Sequence, residues 1–581
     1  MADTHPIPSW GFSFCGRSCQ MGDRENVHSV SYVPTTFDTE TSLTACADEE
    51  TIRQNSNANR NSLSFIFRLP TEILVTIFVH CARDYHSKVS GHRTPTAPCW
   101  VNVSYVCRHW RNVALNCSTL WTYLFVTSQR WTEELLARSG QGSLKLHANT
   151  DSSHCDSTLL ELGIVEQVMN QVERIQELRL HLPFTSSDHR FFSKLSSRAP
   201  RLQNLKISTE DDFDFSQWSS VLFDGDTPAL RTLELTGCPV PWYSFKLSGL
   251  TTLGLNNIPV RFHQNTVDLL ATLSCMPNLE HLYLDNSLAS ASSFLSSMAF
   301  HTFQKINLPH LSRLLIAAPL STGIALLSCI SIPLKTEVRL ECNYERDSSL
   351  DDYTSLSSLL AQRFSMGDQA LPGPTIRSLG IQSADWEKAI LTFSASERAF
   401  NSSISISRVE WCRNVPLQVV VHFPQSDGGH LVSDICRAMP LTNVQSVHVL
   451  HPPFFSSFWK LALGHLPGLR HLKLGRGNMP DLASVLSLAP RDCTKQDGYT
   501  DCGLDRVFAP ALEELELYDI LFSTSPPDDQ QSLYGALSTR REFRGQLTMT
   551  QCTVVAKDGR HTVLEMVGRW EGGHFHVVES A

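Results

Sequence analysis

Apolar residues first fall into a sustained pattern in the run Leu69-Pro70-Thr71-Glu72-Ile73-Leu74-Val75-Thr76-Ile77-Phe78-Val79-His80-Cys81. Ile73, Leu74, Ile77, Phe78 and Cys81 recur at helical spacing and draw one apolar stripe. Pro70 suits the first turn, where the backbone donor it lacks has no partner to lose. Gly91, Pro95 and Pro98 then mark a loop. A second amphipathic segment follows, with Trp100, Val103, Val106, Cys107, Trp110, Val113 and Ala114 on one face, and Leu120-Trp121 closes the unit. Burying a side chain such as Leu, Ile or Phe contributes about 1.5–3 kcal/mol, so these stripes must pack on each other or on a partner.

Beyond this unit a second pattern takes over. The template apolar-x-x-apolar-x-apolar occurs as Ile175-Leu178-Leu180, Leu202-Leu205-Ile207, Leu230-Leu233-Leu235, Leu250-Leu253-Leu255, Leu279-Leu282-Leu284 and Leu311-Leu314-Ile316. It returns as Ile376-Leu379-Ile381, Val444-Val447-Val449, Leu469-Leu472-Leu474 and Leu512-Leu515-Leu517. Weaker matches lie around Val338-Arg339-Leu340 and from Leu417 to Val421. Central positions up to Leu314 are 27, 28, 20, 29 and 32 residues apart. Pro200, Pro228, Pro277, Pro309, Pro467 and Pro510 stand just upstream of units, where a proline would end a preceding helix. Each unit reads as one short strand with alternate residues inward and a helical or irregular return. Stacking buries what no unit buries alone, so the expected fold is an α/β solenoid.

These patterns divide the chain. Residues 1–62 are polar, without periodicity, and read as a disordered leader. Residues 63–125 form the helical unit, 126–170 a helical linker and 171–540 the repeats. Residues 541–581 alternate like strands (Leu547, Met549, Val563, Phe575, Val577) and are expected to form a C-terminal β cap.

Composition narrows the function classes. Hydrophobic residues make up 42% of the 581, enough for extensive cores, yet no run of eighteen apolar residues offers a membrane span. The start, Met1-Ala2-Asp3 with His5, Pro6 and Pro8, lacks the pattern of a secretory signal, so a cytoplasmic or nuclear location is expected. A formal charge of −10 opposes wrapping of nucleic acid. From Arg60 to Arg138, however, nine basic residues face four acidic ones, a local excess that suits an acidic partner or a solvated helix face equally. The 17 cysteines, odd in number and scattered, suit free thiols.

The residues quoted for the helical unit resemble an F-box of the fungal type: Leu69-Pro70-x-Glu72-Ile73-Leu74-x-x-Ile77-Phe78, Trp100-Val101, Val106-Cys107-Arg108-x-Trp110-Arg111-x-Val113-Ala114 and Leu120-Trp121. The downstream units resemble divergent leucine-rich repeats, though most lack the Asn or Cys that usually follows the strand; Cys238 and Asn343 fit. The resemblance implies a small all-α F-box domain followed by an irregular leucine-rich-repeat horseshoe. It further implies docking on a Skp-type adaptor of a cullin–RING ubiquitin ligase, with the repeats holding an unknown protein substrate. The alternative is a non-ligase leucine-rich-repeat scaffold.

On this reading the adaptor-binding candidates are Leu69, Pro70, Ile73, Leu74, Ile77, Phe78, Trp110 and Trp121, the two tryptophans serving equally well to hold the domain together. Strand positions between the inward leucines include Arg179, Lys206, Glu234 and Glu516, and the substrate-binding candidates are Tyr283, Leu315, His448 and Lys473. No catalytic residue, metal site or cofactor is expected. Gly475-Arg476-Gly477 lacks the third glycine of a dinucleotide loop, His574 and His576 lack a third ligand, and no Gly-x-Ser-x-Gly or His-Glu-x-x-His occurs. Cys15/Cys19 and Cys493/Cys502 do not have paired Cys-x-x-Cys spacing.

Overall fold

The computed structural model describes residues 65–88, 99–125, 129–149, 163–182, 195–209, 222–238, 247–260, 263, 266–289, 305–343, 350–365, 375–385, 388–394, 417–422, 428–450, 466–475, 486, 509, 511–523, 533, 535, 537, 545–555, 561–571 and 574–580. The expected leader, 1–62, lies outside them. The chain divides into two compact units, Met1–Leu74 and Val75–Ala581. The first contains a 3-10 turn, Phe65–Arg68, and the start of α1 (Thr71–Lys88), which runs on into the second.

The second unit continues with a 3-10 stretch, Cys99–Tyr105, then α2 (Arg108–Asn116), α3 (Gln129–Ser139) and a large open sheet. Its first strands are β1 (Tyr123–Phe125), β2 (Leu144–Asn149), β3 (Ile175–Leu182), β4 (Asn204–Thr209), β5 (Thr232–Thr236), β6 (Thr252–Asn256) and β7 (His281–Asp285). Outside the sheet, β8 (Ile306–Asn307) pairs in parallel with β10 (Ile330–Ser331). β9 (Arg313–Pro319) and β11 (Glu337–Asn343) extend the main sheet. From β1 to β11 every neighbouring pair in that sheet is parallel, in the order β1-β2-β3-β4-β5-β6-β7-β9-β11. The register stacks like on like: Leu178, Leu205, Leu233, Leu253, Leu282, Leu314 and Val338 form one line, all buried.

The ladder starts earlier than the leucine template suggests. Leu144–Asn149, within the stretch expected to be a helical linker, is a strand whose Leu144, Leu146 and Ala148 alternate inward. Its pattern is too short to compete with the helical signal of neighbouring Gln129–Ser139.

Several strands are entered through a tight turn. Leu202 N–H donates to Ala199 carbonyl at 3.1 Å, Leu230 to Thr227 at 3.1 Å, Leu279 to Met276 at 3.2 Å and Leu469 to Leu466 at 3.3 Å. Pro200, Pro228, Pro277 and Pro467 hold the second position of these turns, where their fixed φ is already correct. The prolines therefore launch the next strand, beyond any role in stopping a helix. Thr336 explains why the unit around Val338 matches the template poorly. Its amide donates to Pro333 at 3.1 Å, but the turn reaches the strand one residue sooner than in the preceding unit, and the buried Thr336 hydroxyl bonds the Leu311 carbonyl at 2.6 Å.

Several strands leave through a residue of positive φ: Gly237 at 70°, Asn257 and Asn286 at 46° and Asp519 at 51°. Gly237 is required twice over, since a Cβ there would meet the Thr209 carbonyl oxygen at 2.7 Å. The next side chain turns inward: Cys238 Sγ donates to the Ile207 carbonyl of the unit before, at 3.8 Å. Cys552 repeats the contact with Leu517 at 3.5 Å.

After β11 the order changes. β12 (Ser378–Asp385), β13 (Lys388–Ser394) and β14 (Leu417–His422) form an antiparallel meander. β14 lies beside β11, and β12 pairs with β15 (Ser446–Leu450), so the spatial order is β11-β14-β13-β12-β15. Parallel pairing then resumes through β16 (His471–Gly475), β17 (Glu514–Tyr518) and β19 (Gln546–Val555), with β18 (Leu521–Ser523) beside the far end of β19. β20 (His561–Glu571) and β21 (His574–Ser580) close the sequence in antiparallel fashion. The helices α4 (Thr266–Leu273), α5 (Leu320–Cys329), α6 (Leu350–Ser365) and α7 (Gly428–Ala438) pack in that order, α4 on α5, α5 on α6 and α6 on α7. Among the described residues the sheet does not close into a barrel.

Candidate protein-interaction sites

α1 begins with Pro70, whose carbonyl accepts from the Ile73 and Leu74 amides at 3.1 and 3.2 Å. Its apolar stripe splits in two. Leu74, Phe78 and Ala82 follow the i, i+4, i+8 line and are buried. Ile73 and Ile77, one residue earlier on the same turns, are 47% and 36% exposed.

Within the second unit an aromatic core holds the helices. Phe78 and Trp110 meet at a tilt of 56° with 5.0 Å between centroids, and Trp100 meets Trp121 edge-on at 5.3 Å. Cys107 caps α2 by accepting from the Trp110 amide through its sulfur at 3.4 Å. The Trp121 indole N–H donates to the Ala114 carbonyl at 2.8 Å, at the end of α2, and Arg138 of α3 lies over its ring at 4.4 Å. Trp121 is wholly buried and Trp110 partly so. Leu74, Phe78 and Trp121 are thus buried, whereas Pro70, Ile73 and Ile77 are exposed and Leu69 is partly so.

Exposed large apolar side chains occur in each unit. Phe65, Ile66 and Ile73 in the first unit and Ile77, Tyr105 and Val106 in the second account for six of the nine such residues among those described. Residues 66–127 match the F-box-like family. The chain carries an F-box-like domain. No curated protein matches the sequence.

The second candidate surface is the strand face opposite the buried leucines. Tyr283 of β7 and Leu315 of β9 are register partners and half-buried, and Tyr283 stacks on His281 at 6.2 Å. Burial, opposed in part by Arg313, raises the Tyr283 pKa. His448 of β15 and Lys473 of β16 are likewise register partners. Burial, with Lys473 alongside, pushes the His448 pKa down to about 4, and Lys473 pairs with Glu516 at 2.5 Å. The structure thus joins the four candidates as two pairs, separated by β11, β14, β13 and β12.

Sequence reasoning overlooked the most connected group on this face. Glu177 of β3, only 7% exposed, meets Arg179 at 2.7 Å, His147 at 3.0 Å and Lys145 at 3.7 Å. Burial alone would raise its carboxyl pKa, but the His147 hydrogen bond and the Arg179 and Lys145 charges outweigh it and hold the group at about 2. The available signal was alternation: Lys145 and His147 lie between Leu144, Leu146 and Ala148. Among the described residues no three His, Cys, Asp or Glu side chains converge on a metal position, and no helix is long and apolar enough to cross a membrane.

Proposed function

We propose that this chain is the target-recognition subunit of an SCF-type cullin–RING ubiquitin ligase. Its F-box-like domain docks on a Skp-type adaptor, and the downstream strands, read as divergent leucine-rich repeats, hold a protein substrate. The observation that carries the reading is the F-box-like match over 66–127 together with the exposed Ile73 and Ile77 inside it. Two aliphatic groups one helical turn apart suit insertion into an apolar groove, where a few anchors dominate the energy. Support for the repeats comes from the parallel register, the recurring entry turn and the Cys238 contact to the unit before.

The chain does no chemistry of its own on this reading. It supplies proximity between the ligase and a target, acts in the cytoplasm or nucleus, and needs neither nucleic acid nor membrane. The fungal-type assignment rests on the motif residues alone.

The burial of Leu74 and Phe78 favours the second reading, a non-ligase scaffold whose N-terminal helices only pack within the chain. Capture of a Skp-type adaptor by the full chain separates the two. Ile73→Asp and Ile77→Asp should each lower capture about tenfold or more, about 1.4 kcal/mol of binding, while shifting melting far less than a core substitution would, because both side chains keep exposed surface. Undiminished capture by both variants, or no capture by the parent, removes the ligase reading.

A further inference from the structure

The charges on the strand face are sorted by depth and by position. On β2, β3 and β4 the outward residues are Lys145, His147, Asn149, Glu177, Arg179, His181, Asn204, Lys206 and Ser208. Three are cations and one is an anion. That anion, Glu177, is the buried member, while the Arg179 and Lys206 side chains are 48% and 50% exposed. At the opposite end the order inverts. On β16 and β17 the cation Lys473 lies deeper than Glu514 and Glu516.

The geometry points to the β2–β4 face as a docking surface for an acidic, extended peptide segment of the target. This rests on the reading that the strand face holds a target, and it names the chemistry of what is held. Glu177, a single carboxylate, cannot neutralise both Lys145 and Arg179, yet it fixes the two before any partner arrives. Adjacent strands are about 4.8 Å apart and Lys145 lies two residues back from the position opposite Arg179, so Lys145, Arg179 and Lys206 span roughly 12 Å, about three to four residues of extended chain at ~3.3 Å each. Lys206 also contacts Glu234 of β5 at 2.8 Å, which sets the edge of the basic surface. Nucleic acid fits less well. The Tyr123 ring beside this surface is already covered by Lys145 at 4.8 Å and so is not open to a stacking base.

The test is fluorescence anisotropy of the full chain with a labelled (Glu-Gly)5 peptide, its (Gln-Gly)5 counterpart and a ten-nucleotide oligo-dT. The acidic peptide should bind at least about tenfold more tightly than the neutral one, and weaken several-fold between about 50 and 200 mM salt. Arg179→Gln with Lys206→Gln should reduce its affinity about tenfold, while Lys473→Gln leaves it within about twofold. Unchanged melting in the double variant shows that loss of binding is not loss of fold. Equal affinity for the acidic and neutral peptides, indifference to the double variant, or oligo-dT binding at least as tight as the peptide overturns the proposal. Adaptor capture measured on the same samples keeps the two readings apart. Peptide binding without capture removes only the ligase reading, and capture without peptide binding removes only this one.

Discussion

Ile73 and Leu74 are consecutive in α1, yet Leu74 is fully buried while 47% of Ile73 remains exposed. Sequence periodicity placed both in one stripe, and the structure gives them opposite tasks. Leu74→Ala is expected to cost about 2–5 kcal/mol, whereas Ile73→Asp should leave thermal stability within about 0.5–1 kcal/mol. Melting curves of the two variants check this. Equal losses would show that the exposed half of Ile73 is also packed.

Trp121 ties the end of α2 to α3 through its bond to Ala114 and its ring contact with Arg138. Trp121→Phe removes the donor, leaves the Ala114 carbonyl with only the Cys117 amide, and opens space. The expected loss is about 2–4 kcal/mol, seen as a lower melting temperature. Arg138→Gln, which removes the ring contact together with the 2.7 Å pair to Glu134, should cost no more than about 1–1.5 kcal/mol.

Gly237→Ala combines a positive φ with a Cβ at 2.7 Å from the Thr209 carbonyl oxygen. A loss of about 1–3 kcal/mol is expected. Asn286→Gly, at a positive φ as well, should be neutral or stabilising. Opposite signs in the two variants, measured by thermal unfolding, verify the backbone account.

Glu177 ionises in the fold at about 2, below its ordinary value of 4.5. Its contribution to stability is therefore complete above about pH 4.5 and is lost as pH falls toward 2. Glu177→Gln should remove part of the pH dependence of melting in that window and lower stability at pH 7.

His448 works in the opposite chemical sense. With its pKa at about 4 against 6.5, it is neutral in the fold and charges more readily in the unfolded chain. Stability is complete above about pH 6.5 and falls as pH drops through 6.5 toward 4. His448→Asn should shrink the fall in melting temperature between pH 7 and 5 by about 2 °C or more. An unchanged slope would show that another group controls it.

Much of this was legible in the residues themselves. The α1 stripe and the leucine lines follow from spacing alone, because inward positions must be apolar whatever lies opposite them. Thr336 hid its unit by a one-residue shortening and a hydroxyl in place of an apolar group. The swap in order from β12 to β14 was invisible, since Leu379, Leu391 and Val419 look equally buried in any pairing. The Glu177 cluster escaped notice because its members come from β2 and β3, thirty residues apart, and only register brings them together.

That swapped order also dictates a schedule of assembly. During synthesis each strand from β2 to β7 finds its neighbour already laid down, and β9 and β11 join the same growing edge. At β11 this stepwise growth stalls, because the strand that belongs beside it is β14 and not β12. Leu417–His422 must be in place before that edge is covered, and until then the β11 edge leaves its hydrogen-bonding groups open.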